Sequence, residues 1–108
     1  MIPQATVKKR KKPDPYLTQR VMSASPAQLI SYAYDAAIMG CGQRDRVKVT
    51  RAMSELITSL NFEYKEQAMA FYRVYRYINM LIIKGKFDDA KSILVDVKSA
   101  WNQAMNLA

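Results

Sequence analysis

The chain has 108 residues, half of them apolar, and a formal charge of +8 from 17 Lys and Arg against 9 Asp and Glu. This is the size of one domain, with apolar side chains enough for a core. Histidine is absent and Cys41 is the single cysteine, which excludes an internal disulfide and a Cys/His zinc site and removes the usual general base.

The charge is unevenly placed. Lys8, Lys9, Arg10, Lys11 and Lys12 form one run, followed by Pro13-Asp14-Pro15. Adjacent cations repel and prolines disfavour helix, so residues 1–15 read as a flexible basic arm and 16–108 as the folded domain. Such an arm is either a soluble tail or an attractor of nucleic acid, anionic lipid or an acidic partner. No apolar stretch follows the charges, as a secretory signal requires, and the run Met80-Leu81-Ile82-Ile83 is far too short to span a bilayer. The expected setting is the reducing cytosol, without membrane insertion.

Ser25-Pro26-Ala27-Gln28 reads as a capping box, with Ser25 at N-cap, Pro26 in the first helical position and Gln28 reaching back. The helix it opens is expected to run to about Met39 and to stop at Gly40-Cys41-Gly42. Leu29, Ala33, Ala36 and Gly40 form one apolar stripe along it. Ile30, Tyr34, Ala37, Ile38 and Cys41 form a second beside the first. Together they are wider than an ordinary amphipathic face.

A second helix is expected from about Asp45 to Leu60, with Val49, Met53, Leu56 and Leu60 at heptad-like spacing. Arg44, Arg46, Lys48 and Arg51 on its early turns oppose the helix dipole and read as a solvated face or a binding patch. After a link at Asn61-Phe62-Glu63, a third helix covers roughly Tyr64 to Ile83. Tyr64, Ala68, Phe71, Tyr75, Ile78 and Ile82 keep a 4-3-4-3 rhythm, and its second half is apolar nearly all round. Lys84-Gly85-Lys86 ends it. Asp88 or Asp89 is expected to start a fourth helix, with Ala90, Leu94, Val97, Trp101 and Ala104 on one seam.

Four helices joined by short links predict an all-α fold, an antiparallel four-helix bundle with a short N-terminal strap. A bundle helix needs about three apolar positions in every seven. The helix after Ser25 and the end of the third exceed that. The surplus either makes these the most central helices or leaves apolar surface for a partner.

Catalysis finds little support. The acids are scattered, and no phosphate-binding Gly-rich loop, nucleophile elbow or metal-ligand spacing is present. Cys41, among small apolar residues, reads as packing rather than a nucleophile. No enzyme activity, cofactor, metal or small-molecule substrate is expected. Nucleic-acid binding rests on charge alone, without a helix-turn-helix signature, and stands as a non-specific electrostatic alternative.

Tyr16, then Val21-Met22-Ser23-Ala24-Ser25-Pro26, Leu29-Ile30 and Tyr34-Asp35-Ala36-Ala37-Ile38, resemble the opening of the FliS family of flagellin export chaperones. The likeness extends more weakly through Glu55-Leu56 to Leu60 and to Ala100-Trp101, covering about residues 16 to 104. Ser23, Ala33 and Ala36 depart from the usual Thr, Leu and Gly. The resemblance implies a cytosolic, non-enzymatic four-helix bundle that holds the disordered C-terminal segment of flagellin. The client is thereby kept from polymerising early and is delivered to the flagellar type III export gate. It also implies that a strap bearing Tyr16 covers part of an apolar groove when no client is bound.

Joined to the surplus apolar surface, this places the client groove at Leu29, Ile30, Ala33, Tyr34, Ala37, Ile78, Leu81 and Ile82, with Tyr16 as a removable cover. Client helices dock apolar stripes into such grooves, each well-buried large side chain contributing roughly 1.5–3 kcal/mol before the ordering entropy is subtracted. Tyr34 and Asp35 have a structural alternative, as a buried ring and a carboxylate fixing a neighbouring helix.

Overall fold

A computed structural model describes residues 14–23 and 26–106. Among these residues the chain is all-helical, with five helices and no strand. They are α1 (Pro15–Val21), α2 (Ala27–Gln43), α3 (Arg46–Thr58), α4 (Lys65–Ile83) and α5 (Phe87–Met105). The basic run 8–12 and the expected cap Ser25 lie outside the described residues.

α1 begins at Pro15, where the sequence reading ended the flexible arm; residues 1–13 lie outside the described residues. Asp14 takes the N-cap, its carboxylate accepting the Tyr16 N–H at 3.0 Å, and Pro15 sits in the first turn where no amide is needed. The short helix buries Thr18 and Val21, and Met22 follows into the core. Its far end is pinned by Asn61 in the α3–α4 link. The Asn61 N–H donates to the Val21 carbonyl, and the Asn61 side-chain amide donates to the Ser23 hydroxyl at 3.1 Å. On the outside, the Arg20 guanidinium lies 5.3 Å from the Tyr16 ring and 5.2 Å from the Tyr64 ring, a cation–π contact on each side.

α2 begins with Pro26 as its N-cap, so the helix starts one residue later than expected, with the Pro26 carbonyl accepting the Ile30 N–H at 3.3 Å. It does not stop at Gly40-Cys41-Gly42. The helix continues to Gln43 and turns at Arg44, which is left-handed at φ 55°. The Arg44 N–H donates to the Cys41 carbonyl and the Asp45 N–H to the Gly40 carbonyl, which closes the end as a Schellman motif. Arg44 adopts this conformation although it carries a Cβ, and its side chain is engaged locally. Arg44 bonds the Cys41 carbonyl and pairs with Asp88 at 3.3 Å, and its guanidinium lies over Phe87. Gly40 serves packing instead. A Cβ there would stand 2.8 Å from Val49 Cγ2 and 3.1 Å from the Val49 backbone nitrogen.

The later boundaries follow the sequence more closely. Asp45 caps α3, its carboxylate accepting the Lys48 N–H at 3.0 Å. Gly85, at φ 75°, closes α4 through bonds from Gly85 to Ile82 and from Lys86 to Leu81. α5 starts at Phe87, before the aspartates. Asp88 and Asp89 occupy its first turn without capping it, where they favour the positive end of the dipole.

α2 packs on α3 and α5, and α4 packs on the same two helices, while α1 lies against α5. Ser31, Asp35 and Arg44 of α2 meet Asn102, Lys98 and Asp88 of α5, so these two helices run in opposite directions. The core is built from Tyr34, Met53, Leu56, Tyr75, Ile78, Ile82 and Leu94, all without solvent exposure. No helix among the described residues is long and apolar enough to cross a membrane.

Candidate functional site

The surplus apolar circumference of α2 is consumed inside the protein. Because α2 has two neighbours, Ile30, Tyr34, Ala37 and Cys41 of its second stripe are buried and Ile38 is half-buried, while Ala33 and Gly40 of the first are buried as well. The expectation of one surface groove through all these positions is therefore corrected, although Leu29, Ile30 and Ala33 do border an opening toward α3. Ile30, Ala33, Tyr34, Ala37, Ile78, Leu81 and Ile82 belong to the core. Leu29 alone of that set is exposed, at 53%. Two stripes at a wide angle are what a helix packed on both sides requires, and a single helix pattern does not say how many neighbours will cover it.

Tyr34 and Asp35 take structural roles. The Tyr34 and Tyr75 hydroxyls bond each other at 2.6 Å in the interior, and burial pushes both phenols well above their ordinary pKa. The Lys98 ammonium donates to the Asp35 carboxylate between α2 and α5. Burial likewise pushes the Cys41 thiol up, which disfavours the thiolate that nucleophilic chemistry needs. No group of three His, Cys, Asp or Glu among the described residues is placed to hold a metal.

An open apolar groove is present elsewhere, between α4 and α5. Phe71 and Val74 form one wall, Val97 and Trp101 the other, and its volume is about 250 Å³. Alanines open the space: Ala70, Ala100 and Ala104 place methyl groups where longer side chains would close the seam. Every lining residue except Thr18 is apolar, and Thr18 is a buried residue of α1. The short N-terminal helix thus borders this groove through Thr18, while Tyr16 is not among the lining residues and is 65% exposed. The Trp101 indole N–H is buried without an acceptor among the described residues.

A second furrow runs between α2 and α3. Leu29, Ile30, Tyr32 and Ala33 line it from α2, and Glu55 and Thr58 from α3; a separate depression along the same pair of helices is lined by Ala36, Val47, Arg51 and Glu55. It is more mixed in polarity than the first.

Sequence reading put Phe71, Val97, Trp101 and Ala104 on bundle seams without seeing a groove there. The available signal was the pair of small residues Ala100 and Ala104 around Trp101, facing Ala70 around Phe71. Comparison of the chain with protein families, curated proteins and solved structures finds no match.

Proposed function

We propose that this chain is a FliS-like flagellar export chaperone, an antiparallel four-helix bundle (α2–α5) with α1 as its N-terminal strap. In this reading it acts in the cytosol, binds the disordered C-terminal region of flagellin, blocks premature polymerisation and hands the client to the flagellar type III export gate. It is a binding protein rather than an enzyme.

The observation that carries the reading is the apolar groove between α4 and α5, bordered at one side by Thr18 of α1. An amphipathic client helix supplies a stripe of large side chains that such a groove accepts, and folding on the chaperone offsets its ordering entropy with apolar burial. The reversed directions of α2 and α5 and the short links Arg44-Asp45 and Lys84-Gly85-Lys86 favour the antiparallel arrangement. The exposed Leu29 and Tyr32 of the second furrow offer a further contact surface to a client that wraps.

The test is retention of a flagellin C-terminal fragment by the immobilised chain. Apolar burial keeps the fragment bound as salt is raised to moderate levels. If the fragment does not bind, while duplex DNA is retained at low salt and released as salt rises, the chain is instead a basic helical protein that binds nucleic acid non-specifically.

A further inference from the structure

We propose that the outward face of α4 is a docking site for the surface of an anionic lipid bilayer. Three large apolar side chains stand on this face in solvent: Tyr77 is 49% exposed, Met80 41% and Ile83 70%. They recur every third residue, and neither groove described above includes them. Arg73, Arg76 and Lys84 are exposed on the same side of the helix, at three- and four-residue steps from the apolar trio. Core residues Ala68, Tyr75, Ile78, Leu81 and Ile82 occupy the opposite side.

The charge on this face is uncompensated. None of the three cations forms an ion pair among the described residues, where the only pairs are Arg44–Asp88 and Lys98–Asp35. Arg76 instead lies over the Tyr72 ring at 5.9 Å, which leaves its charge in place. Glu66, in the first turn, is the only acid of α4. The next acids in the chain, Asp88 and Asp89, lie beyond the Gly85 turn.

Shape decides between occupants. A partner helix seeks a groove between two helices, whereas here the apolar residues ride on the convex side of one. A helix face with aromatic and aliphatic residues between Lys and Arg suits the boundary between headgroups and acyl chains. The anionic leaflet attracts such cations within a Debye length. Docking of this kind is peripheral, and the helix lies along the surface. The charge of +8 over the whole chain acts in the same direction.

The test is co-sedimentation of the full chain with vesicles of phosphatidylcholine alone or mixed with phosphatidylglycerol. The chain is expected to pellet with the mixed vesicles only, and less as salt rises. Arg73→Glu combined with Arg76→Glu should weaken this by at least about tenfold. Tyr77→Ser with Met80→Ser and Ile83→Ser should weaken it comparably. Thermal melting by circular dichroism checks each fold, and the single Ile83→Glu, at the most exposed position, replaces the triple variant if that one unfolds. The proposal is overturned if the mixed vesicles bring down no protein, or if either set of substitutions leaves binding intact. It is equally overturned if only neutralising Lys8 to Lys12 abolishes binding, since the arm and not α4 would then be responsible.

Discussion

The hydroxyls of Tyr34 and Tyr75 meet at 2.6 Å in the interior, joining α2 to α4, helices that face each other across the core rather than side by side. The two rings are tilted with centroids 6.4 Å apart, and Phe71 packs beside Tyr75. A polar contact at this place fixes how the opposite helices register, because each hydroxyl has the other as its partner. Truncating one leaves the other buried and unsatisfied. Tyr34→Phe or Tyr75→Phe alone should therefore cost about 1–3 kcal/mol. The double variant should cost clearly less than the sum, and a double-mutant cycle by urea denaturation measures the difference.

The same pair sets an alkaline limit. Burial raises both phenols above the ordinary value of 10.0, so above that pH unfolded tyrosines lose protons that the folded pair retains. The unfolded state then binds fewer protons, and stability falls as pH rises. Below pH 10 the contribution is fully present. The expected slope is about −1.4 kcal/mol per pH unit for each of the two residues. Urea midpoints followed upward from about pH 9 should decline, and the double Phe variant should decline less steeply by that amount per tyrosine removed.

Two glycines in α2 should respond in opposite senses to alanine. At Gly40 the new methyl meets Val49, including its backbone nitrogen, which cannot rotate away. Gly40→Ala should destabilise by about 1–3 kcal/mol despite the better helix propensity. At Gly42 the nearest atom is the mobile Lys91 Nζ at 3.7 Å. Gly42→Ala should stabilise by about 0.5–1 kcal/mol. Thermal melts of the two single variants test the pair.

Filling the α4–α5 groove tests the proposed client site apart from folding. Ala100 lines it and is exposed, so a larger side chain there has solvent to extend into and disturbs little of the core. Ala100→Phe should leave thermal stability within about 0.5 kcal/mol. It should weaken retention of a flagellin C-terminal fragment by tenfold or so, about 1.4 kcal/mol, as titration calorimetry would measure.

Helix existence was readable because the signals are local. Asp45 before α3 and Gly85 after α4 are chemical requirements of helix ends, and both stand where the sequence put them. Misreadings arose where one residue type serves two purposes. Pro13-Asp14-Pro15 looked like an interruption, yet an aspartate followed by proline also starts a helix, and α1 begins there. Gly40 looked like a stop, but its missing side chain is needed by Val49 on the next helix. The client groove was placed on the most apolar residues, and those are the residues a core takes first. The α4–α5 groove is marked by small side chains between large ones, a pattern that acquires meaning only when α4 and α5 are known to be neighbours.

The bonds from Ser31, Asp35 and Arg44 reach residues 71, 63 and 44 positions later in the chain. α5 comes last among the described helices, although both α1 and α2 rest on it. A ribosome thus makes residues 1–86 of this sequence before the platform for α1 and α2 emerges. Until then α2 has α3 beside it and α4 across from it but lacks its second flanking helix, and the nascent protein is itself a candidate for the holding factors that guard unfinished chains.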